Sequence, residues 1–354
     1  MTERVFRFKG ACNNYPWGRT GSESLASQLQ RKNDRDFQLT EDAFYSELWF
    51  GDYPNFLARL LEAGELLKDV IGQNKEGMLG KTASEALDGN LPFLPKILSI
   101  AKALPLQFHP NKGLAAKLHE QDPGNFKDPN HKPEIAVALS RFEIFAGFKP
   151  LPEIEPLFRL PPLQQFGPSL ADAAARSDKE LREVVRSMLE ADAKTIKSLI
   201  TLLYTNFLIL NPGEAIYMPA DDIHAYLSGD IVEYMARSDN VLNLGFCTHA
   251  ERYYLDVFTN ALTFEAHSTN DVMLSSQKSE KSKSGRTVVF SRLFASSTLL
   301  KADLQAEESD KISASDGLGV FIITKGEGDL IADGKEFDLS KGSIFFVAQG
   351  IPVE

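Results

Sequence analysis

The chain has 354 residues, 43% of them apolar, and a formal charge of −11. That length calls for two or three folded units with a sizeable core. The acidic balance excludes a nucleic-acid surface, though not a small phosphorylated ligand held by a few local cations.

Up to about residue 150, short apolar runs broken by Pro, Gly and Asn predict strands with some helix. Two stretches there read as helix. One is Phe56–Ile71, FLARLLEAGELLKDVI, with apolar positions three and four apart; the other is LAAKLHE after Pro110. From Pro150 to Leu203 the apolar period becomes helical with charged faces, which predicts a separate helical segment. Strand-like sequence resumes at Phe207. A Ser/Lys-rich stretch at 275–286 reads as a solvated linker or loop, and short strands with Gly turns follow it. No apolar run reaches the ~18 residues that span a bilayer, and MTERVFRFKG lacks a signal peptide's apolar region. Cys12 and Cys247 make neither a disulfide framework nor a Cys-rich metal site, which suits the reducing cytoplasm.

A weak repeat links PGEAIYMPADDIH (Pro212–His224) to KGSIFFVAQGIPV (Lys341–Val353). Two related all-β units, one with a histidine and one with Val353 in its place, are the simplest account. The second copy ends at Glu354, just past its turn, so a C-terminal truncation is expected.

Three segments place four polar residues in otherwise apolar strands. In LPLQFHPNK, Gln107 and His109 are two apart and share a strand face, with Phe108 pointing to the opposite layer. Glu134 enters a strand in NHKPEIAVAL, and His224 ends a turn in DDIHAYL. Taken singly, such residues read as surface or hydrogen-bonded core, as His119 and His267 do. Together, two imidazoles, a carboxylate and an amide oxygen suit one divalent metal, zinc by default. Buried polar groups without partners are costly, and a shared ion is the economical explanation.

At these residues the chain resembles the type I mannose-6-phosphate isomerases. The resemblance runs over most of the chain, through NYPWG, ELWFGDYP, LPFLPKILSIAKALPLQFHPNK, DPNHKPE, PGEAIYMPADDIHAYLSGD and VEYMARSDNV. It implies a mainly β fold of two cupin-type jelly-roll barrels with a helical insert. The domains would be 1–149 with 206–265 (zinc-binding), 150–205 (helical) and 266–354 (metal-free). It implies one zinc on Gln107, His109, Glu134 and His224. It also implies interconversion of mannose 6-phosphate and fructose 6-phosphate through a cis-enediol, supplying GDP-mannose synthesis and glycosylation. His131 and Asp239 match positions for ring opening, and Lys132 matches one for proton transfer or phosphate contact. Glu233 and Tyr226 match pocket residues, and Trp17, Lys96 and Lys112 match residues lining or supporting the pocket. The expected protein is a cytoplasmic monomer that meets a phosphorylated hexose, with no membrane or nucleic-acid partner.

Four positions depart from the family pattern. Asn243 stands where the family has a catalytic arginine and His249 where it has a lysine; Pro105 replaces a serine and Tyr53 a histidine. A neutral amide cannot replace a permanently charged, bidentate guanidinium. Strand alternation from Glu233 puts Met235 and Arg237 on one face, which makes Arg237 the candidate substitute cation. The alternative to an active isomerase is therefore a catalytically impaired zinc-binding relative acting as a sugar-phosphate-binding or regulatory protein. An iron cupin oxygenase is disfavoured by the glutamine ligand.

Overall fold

The computed structural model describes residues 3–54, 56–86, 89–161, 204–246, 257, 261, 265–291 and 298–354. The chain forms two compact units. One comprises Met1–Ser99, Asp230–Arg237 and Ser275–Glu354; the other comprises Ile100–Gly229 and Ser238–Leu274. Strands dominate and the described helices are short, the mainly β class expected.

In the Ile100–Gly229 unit, strand Phe142–Phe148 pairs antiparallel with Thr205–Leu210 on one side and with residues 224–228 on the other. Thr205–Leu210 alternates from Asn206 onward, exposing Phe207 and Ile209 and burying Leu208 and Leu210, the pattern of a half-solvated sheet. Glu134–Ala138 has no such alternation. Its continuous apolar run is buried throughout and pairs with Ala215–Met218, putting Glu134 opposite Met218. The short strand Leu106–Phe108 pairs with His224 and with Leu242–Gly245. Leu106 and Phe108 point into a core with Leu118, Phe126, Phe145, Ile223, Ala225 and Leu242. Gln107, between them, faces the other way. Helix Lys112–Gln121 follows Pro110 as expected, and the Asn111 side chain caps it by accepting from Leu114 N–H.

In the other unit, Glu47–Trp49 pairs with Ala11–Asn13 and with Phe93–Ile100. A second sheet runs in the order Gly319–Ile322, Ile344–Val347, Val5–Lys9, Arg59–Leu60. That last strand corrects the helix predicted over Phe56–Ile71. Gly64 takes φ +70, its N–H reaches Leu60 O, and Leu60 N–H reaches Glu65 O, closing a turn. Arg59 and Leu60 are then drawn into pairing with Lys9 and Phe8, and helix survives only over Leu67–Gly72. The helical periodicity was real, but sheet pairing outweighed it.

The repeat shows in the backbone. Gly213 and Gly342 take φ +92 and +95, and four-residue strands begin two residues later, Ala215–Met218 and Ile344–Val347. Of the two readings of the 275–286 stretch, the structure shows a loop, tied down at several points. Gln277–Lys278 pairs with the following Thr287–Phe290 strand, and Ser282, Ser284 and Thr287 all donate to Asp310. Of the predicted 150–205 helical segment, Leu151–Ile154 and the 3-10 turn Glu155–Arg159 are described; residues 162–203 lie outside the described residues, as do Cys247 and His249. Among the described residues no helix is long and apolar enough to cross a membrane.

Candidate metal centre

Three of the four expected ligands converge. The ligand atoms of His109, Glu134 and His224 all lie within 4.8 Å of one another, and all three residues are buried. His109 Nε2 stands 3.1 Å from Glu134 Oε1, and His224 Nε2 stands 3.7 Å from Glu134 Oε2. Gln107 joins them, with its amide Nε2 3.4 Å from His224 Nε2. A half-turn of that amide presents its oxygen to the same point. His224 is the cross-strand partner of Gln107, so sheet register sets this contact.

The outer nitrogens of both histidines are engaged. His109 Nδ1–H donates to Asn240 O at 2.7 Å, and His224 Nδ1–H donates to Asp222 O at 3.1 Å. Each carbonyl fixes the tautomer that leaves the Nε2 lone pair directed inward. Tyr226 O–H donates to Glu134 Oε2 at 3.0 Å. Inside the cluster, His109 Nε2 is buried with no hydrogen bond of good geometry and faces Glu134 Oε1. Leaving such a nitrogen unpaired costs roughly 1–3 kcal/mol. Two imidazole nitrogens, a carboxylate and an amide oxygen are the donor set of a borderline divalent cation, so the residues fit one.

Electrostatics agree. Burial pushes both imidazoles toward the neutral, ligating form; His224 is lowered to about 4, and His109 is lowered further by the Lys132 ammonium. Burial alone would raise the Glu134 carboxyl, but the neighbouring Lys132 ammonium, the largest opposing cause, holds it well below the usual carboxylate range. Lys132 Nζ sits 3.0 Å from Glu134 Oε1 and is itself buried. His131 is half-buried, and burial followed by the Lys112 charge lowers its pKa.

The remaining expected residues divide by unit. With the centre go Tyr226, Lys132, His131 and Asp239; Lys112 is exposed in the first turn of its helix. Asn243 is the cross-strand partner of Gln107, so their side chains share a face, and its Oδ1 is buried without a hydrogen bond. In the other unit, Glu233 and Lys96 are ion-paired at 3.6 Å and buried, so Glu233 is not the solvent-facing residue that alternation alone allows. Trp17 stacks on Tyr15. Arg237 is not a free cation: its guanidinium is bound to the Asp52 carboxylate and lies over Tyr53.

Sequence reasoning missed several supporting residues. Asn240 donates through Nδ2 to Asp128 O and Asn130 O while its own carbonyl holds His109, tying the loop before His131 to that ligand. Asp222 holds His224 through its carbonyl and pairs through Oδ2 with His267 Nε2 at 3.2 Å. For the Asp222 side chain a signal was on view, an acidic pair just before His224 in DDIH; the backbone carbonyls that the two histidines use leave none.

The comparisons with known proteins agree with this geometry. The family model described as phosphomannose isomerase type I, catalytic domain, matches residues 5–151. The mannose-6-phosphate isomerase of Saccharomyces cerevisiae is 32% identical, across 100% of this chain and 96% of that protein. That of Schizosaccharomyces pombe is 28% identical, across 99% and 96%. Among solved structures, a phosphomannose isomerase variant from Salmonella typhimurium superposes with a TM-score of 0.84 at 24% identity, covering 99% of this chain and 97% of that one. The Salmonella typhimurium mannose 6-phosphate isomerase bound to fructose 6-phosphate and zinc gives 0.81 at 24%, covering 99% and 98%. These structural likenesses carry the fold, and the full-length fungal match carries the family. The chain belongs to the type I mannose-6-phosphate isomerases.

Proposed function

We propose that the chain is a zinc-dependent aldose–ketose isomerase that interconverts mannose 6-phosphate and fructose 6-phosphate. The observation that carries this is the convergence of the buried His109, Glu134 and His224 ligand atoms within 4.8 Å. Gln107, His109, Glu134 and His224 would hold the ion. Polarisation of the sugar's oxygens is the chemistry that zinc supplies when bound.

The rest falls to the chain's own residues. Ring opening and the C1–C2 shift need groups that take and return a proton. His131, held toward its neutral form by burial and Lys112, suits acceptance of a hydroxyl proton, with Asp239 as its partner in the proposal. Lys132 holds a proton at Nζ beside Glu134 and offsets negative charge that develops on the substrate. Lys112, exposed at a helix N-terminal turn, suits the phosphate. Glu233, Lys96, Trp17 and the domain limits given above rest on resemblance alone, as does the cytoplasmic monomer. Asn243 offers a neutral amide where relatives carry arginine, and losing one such donor costs ~10²–10³-fold in rate.

The test is a coupled assay for fructose 6-phosphate with metal analysis of the same protein. We expect about one zinc per chain, turnover that is lost on chelation and restored by zinc, and none in Glu134→Gln. Zinc-loaded protein that makes no product, while Asn243→Arg does, would establish the impaired relative instead.

A further inference from the structure

The turn that delivers His224 also grips the segment that delivers His109. Asp221 takes φ +66, a left-handed conformation uncommon outside glycine, though aspartate tolerates it better than most. In that conformation its N–H donates to His109 O at 2.7 Å. Its Oδ1 accepts from Asn111 N–H at 2.9 Å, and its Oδ2 accepts from Asn111 Nδ2 at 2.6 Å. Three hydrogen bonds from one residue therefore close on residues 109–111. His109 lies at one end of this clasp, and His224 lies three residues beyond the other. Asn111 is held rigidly in turn, because its Oδ1 accepts from Leu114 N–H and caps the helix.

None of these three bonds closes the turn itself; all three register it against the segment that carries the other ligand, and the carboxylate supplies two of them. A cation binds tightly only when its donors stand at the right separation before it arrives. We propose that Asp221 is a positioning residue that fixes the spacing of the two histidine ligands and so sets the affinity of the centre for its metal. This rests on reading the centre as a zinc site.

The experiment compares the full chain with Asp221→Gly and Asp221→Asn. Glycine adopts the left-handed turn freely and removes both carboxylate acceptors; asparagine tolerates the turn and keeps one acceptor. Zinc affinity is read by competition with a chromophoric chelator, and the melting of the metal-free proteins is followed alongside. We expect affinity to fall 10–100-fold in Asp221→Gly and by less in Asp221→Asn. The cobalt-substituted protein should show a shifted d–d absorption in Asp221→Gly. Wild-type affinity in Asp221→Gly, whatever its melting point, would overturn the proposal and leave a merely structural role. Should that variant not fold, unchanged affinity and an unchanged cobalt spectrum in Asp221→Asn would overturn it equally. Wild-type protein that fails to compete for zinc would instead bring down the zinc reading, and this proposal with it.

Discussion

Two buried clusters of charge, one in each unit, use the same kinds of residue and end in opposite states. In the Glu47 cluster a cation already stands among the carboxylates. Lys96 Nζ lies 3.8 Å from Glu47, 3.6 Å from Glu233 and 4.1 Å over the Trp49 ring. Glu47 Oε2 accepts from Asn13 Nδ2 and Trp49 Nε1 as well. At the His109 centre, the atoms that converge all offer electron pairs, and Lys132 meets the carboxylate at Oε1. The lesson is one of direction. Carboxylates around a buried ammonium are a finished structural element, whereas inward-facing lone pairs with their outer atoms fully bonded are a site for an ion.

Breaking the finished cluster should have the largest effect on stability. Lys96→Met leaves two buried carboxylates without their cation and should cost about 3–5 kcal/mol, measured by denaturant unfolding of the metal-free protein. Zinc affinity should not change. A loss below about 1 kcal/mol, the worth of an exposed pair, would mean that Lys96 does not hold this cluster together.

The centre was more legible in the sequence than its supports. Gln107 and His109 could be placed on one face because the strand period is two, and Phe108 between them went into the core as that period requires. The helix after Pro110 could be read from its good helix formers, and the structure adds Asn111 as its cap. Phe56–Ile71 misled because periodicity is local, whereas the pairing of Arg59–Leu60 with Phe8–Lys9 joins residues some fifty positions apart. The 275–286 stretch was legible from its composition as a loop, but not the tie that Ser282 and Ser284 make to the Asp310 carboxylate. The carbonyls of Asn240 and Asp222 that orient the ligands were invisible for another reason. Any residue offers a carbonyl, so no side-chain pattern marks the one that is used.

Acid sharpens the comparison next. With His224 lowered to about 4 and His109 also lowered by burial, the folded metal-free protein binds fewer protons than the unfolded chain below about pH 6.5. Stability therefore rises with pH across that window and is lost as pH falls from about 6.5 toward about 4. His224 alone should account for about 3 kcal/mol. Glu134, held below the carboxylate range, acts in the same direction at lower pH. Denaturant midpoints of the metal-free protein from pH 7 to 4 check this, and a flat profile would mean that the imidazoles are not buried neutral. Lys96→Met should keep the slope while lying below wild type throughout, because the histidines stay in place.

The smallest expected effect asks where the centre ends and the substrate pocket begins. Tyr226 is fully buried, packs edge-on against Phe142 and donates its hydroxyl to Glu134 Oε2 at 3.0 Å. Tyr226→Phe keeps the ring packing and removes that bond, leaving a buried ligand oxygen without its donor. Zinc affinity should weaken about tenfold, or ~1.4 kcal/mol, and the metal-free protein should lose about 1 kcal/mol. The family resemblance puts Tyr226 in the substrate pocket, and the two roles separate cleanly. A pocket residue would raise KM for mannose 6-phosphate at saturating zinc while chelator competition stayed at the wild-type value. A residue that orients the carboxylate would shift the competition curve and leave KM alone once zinc is saturating. The geometry favours the second, since the hydroxyl proton is already committed to Glu134.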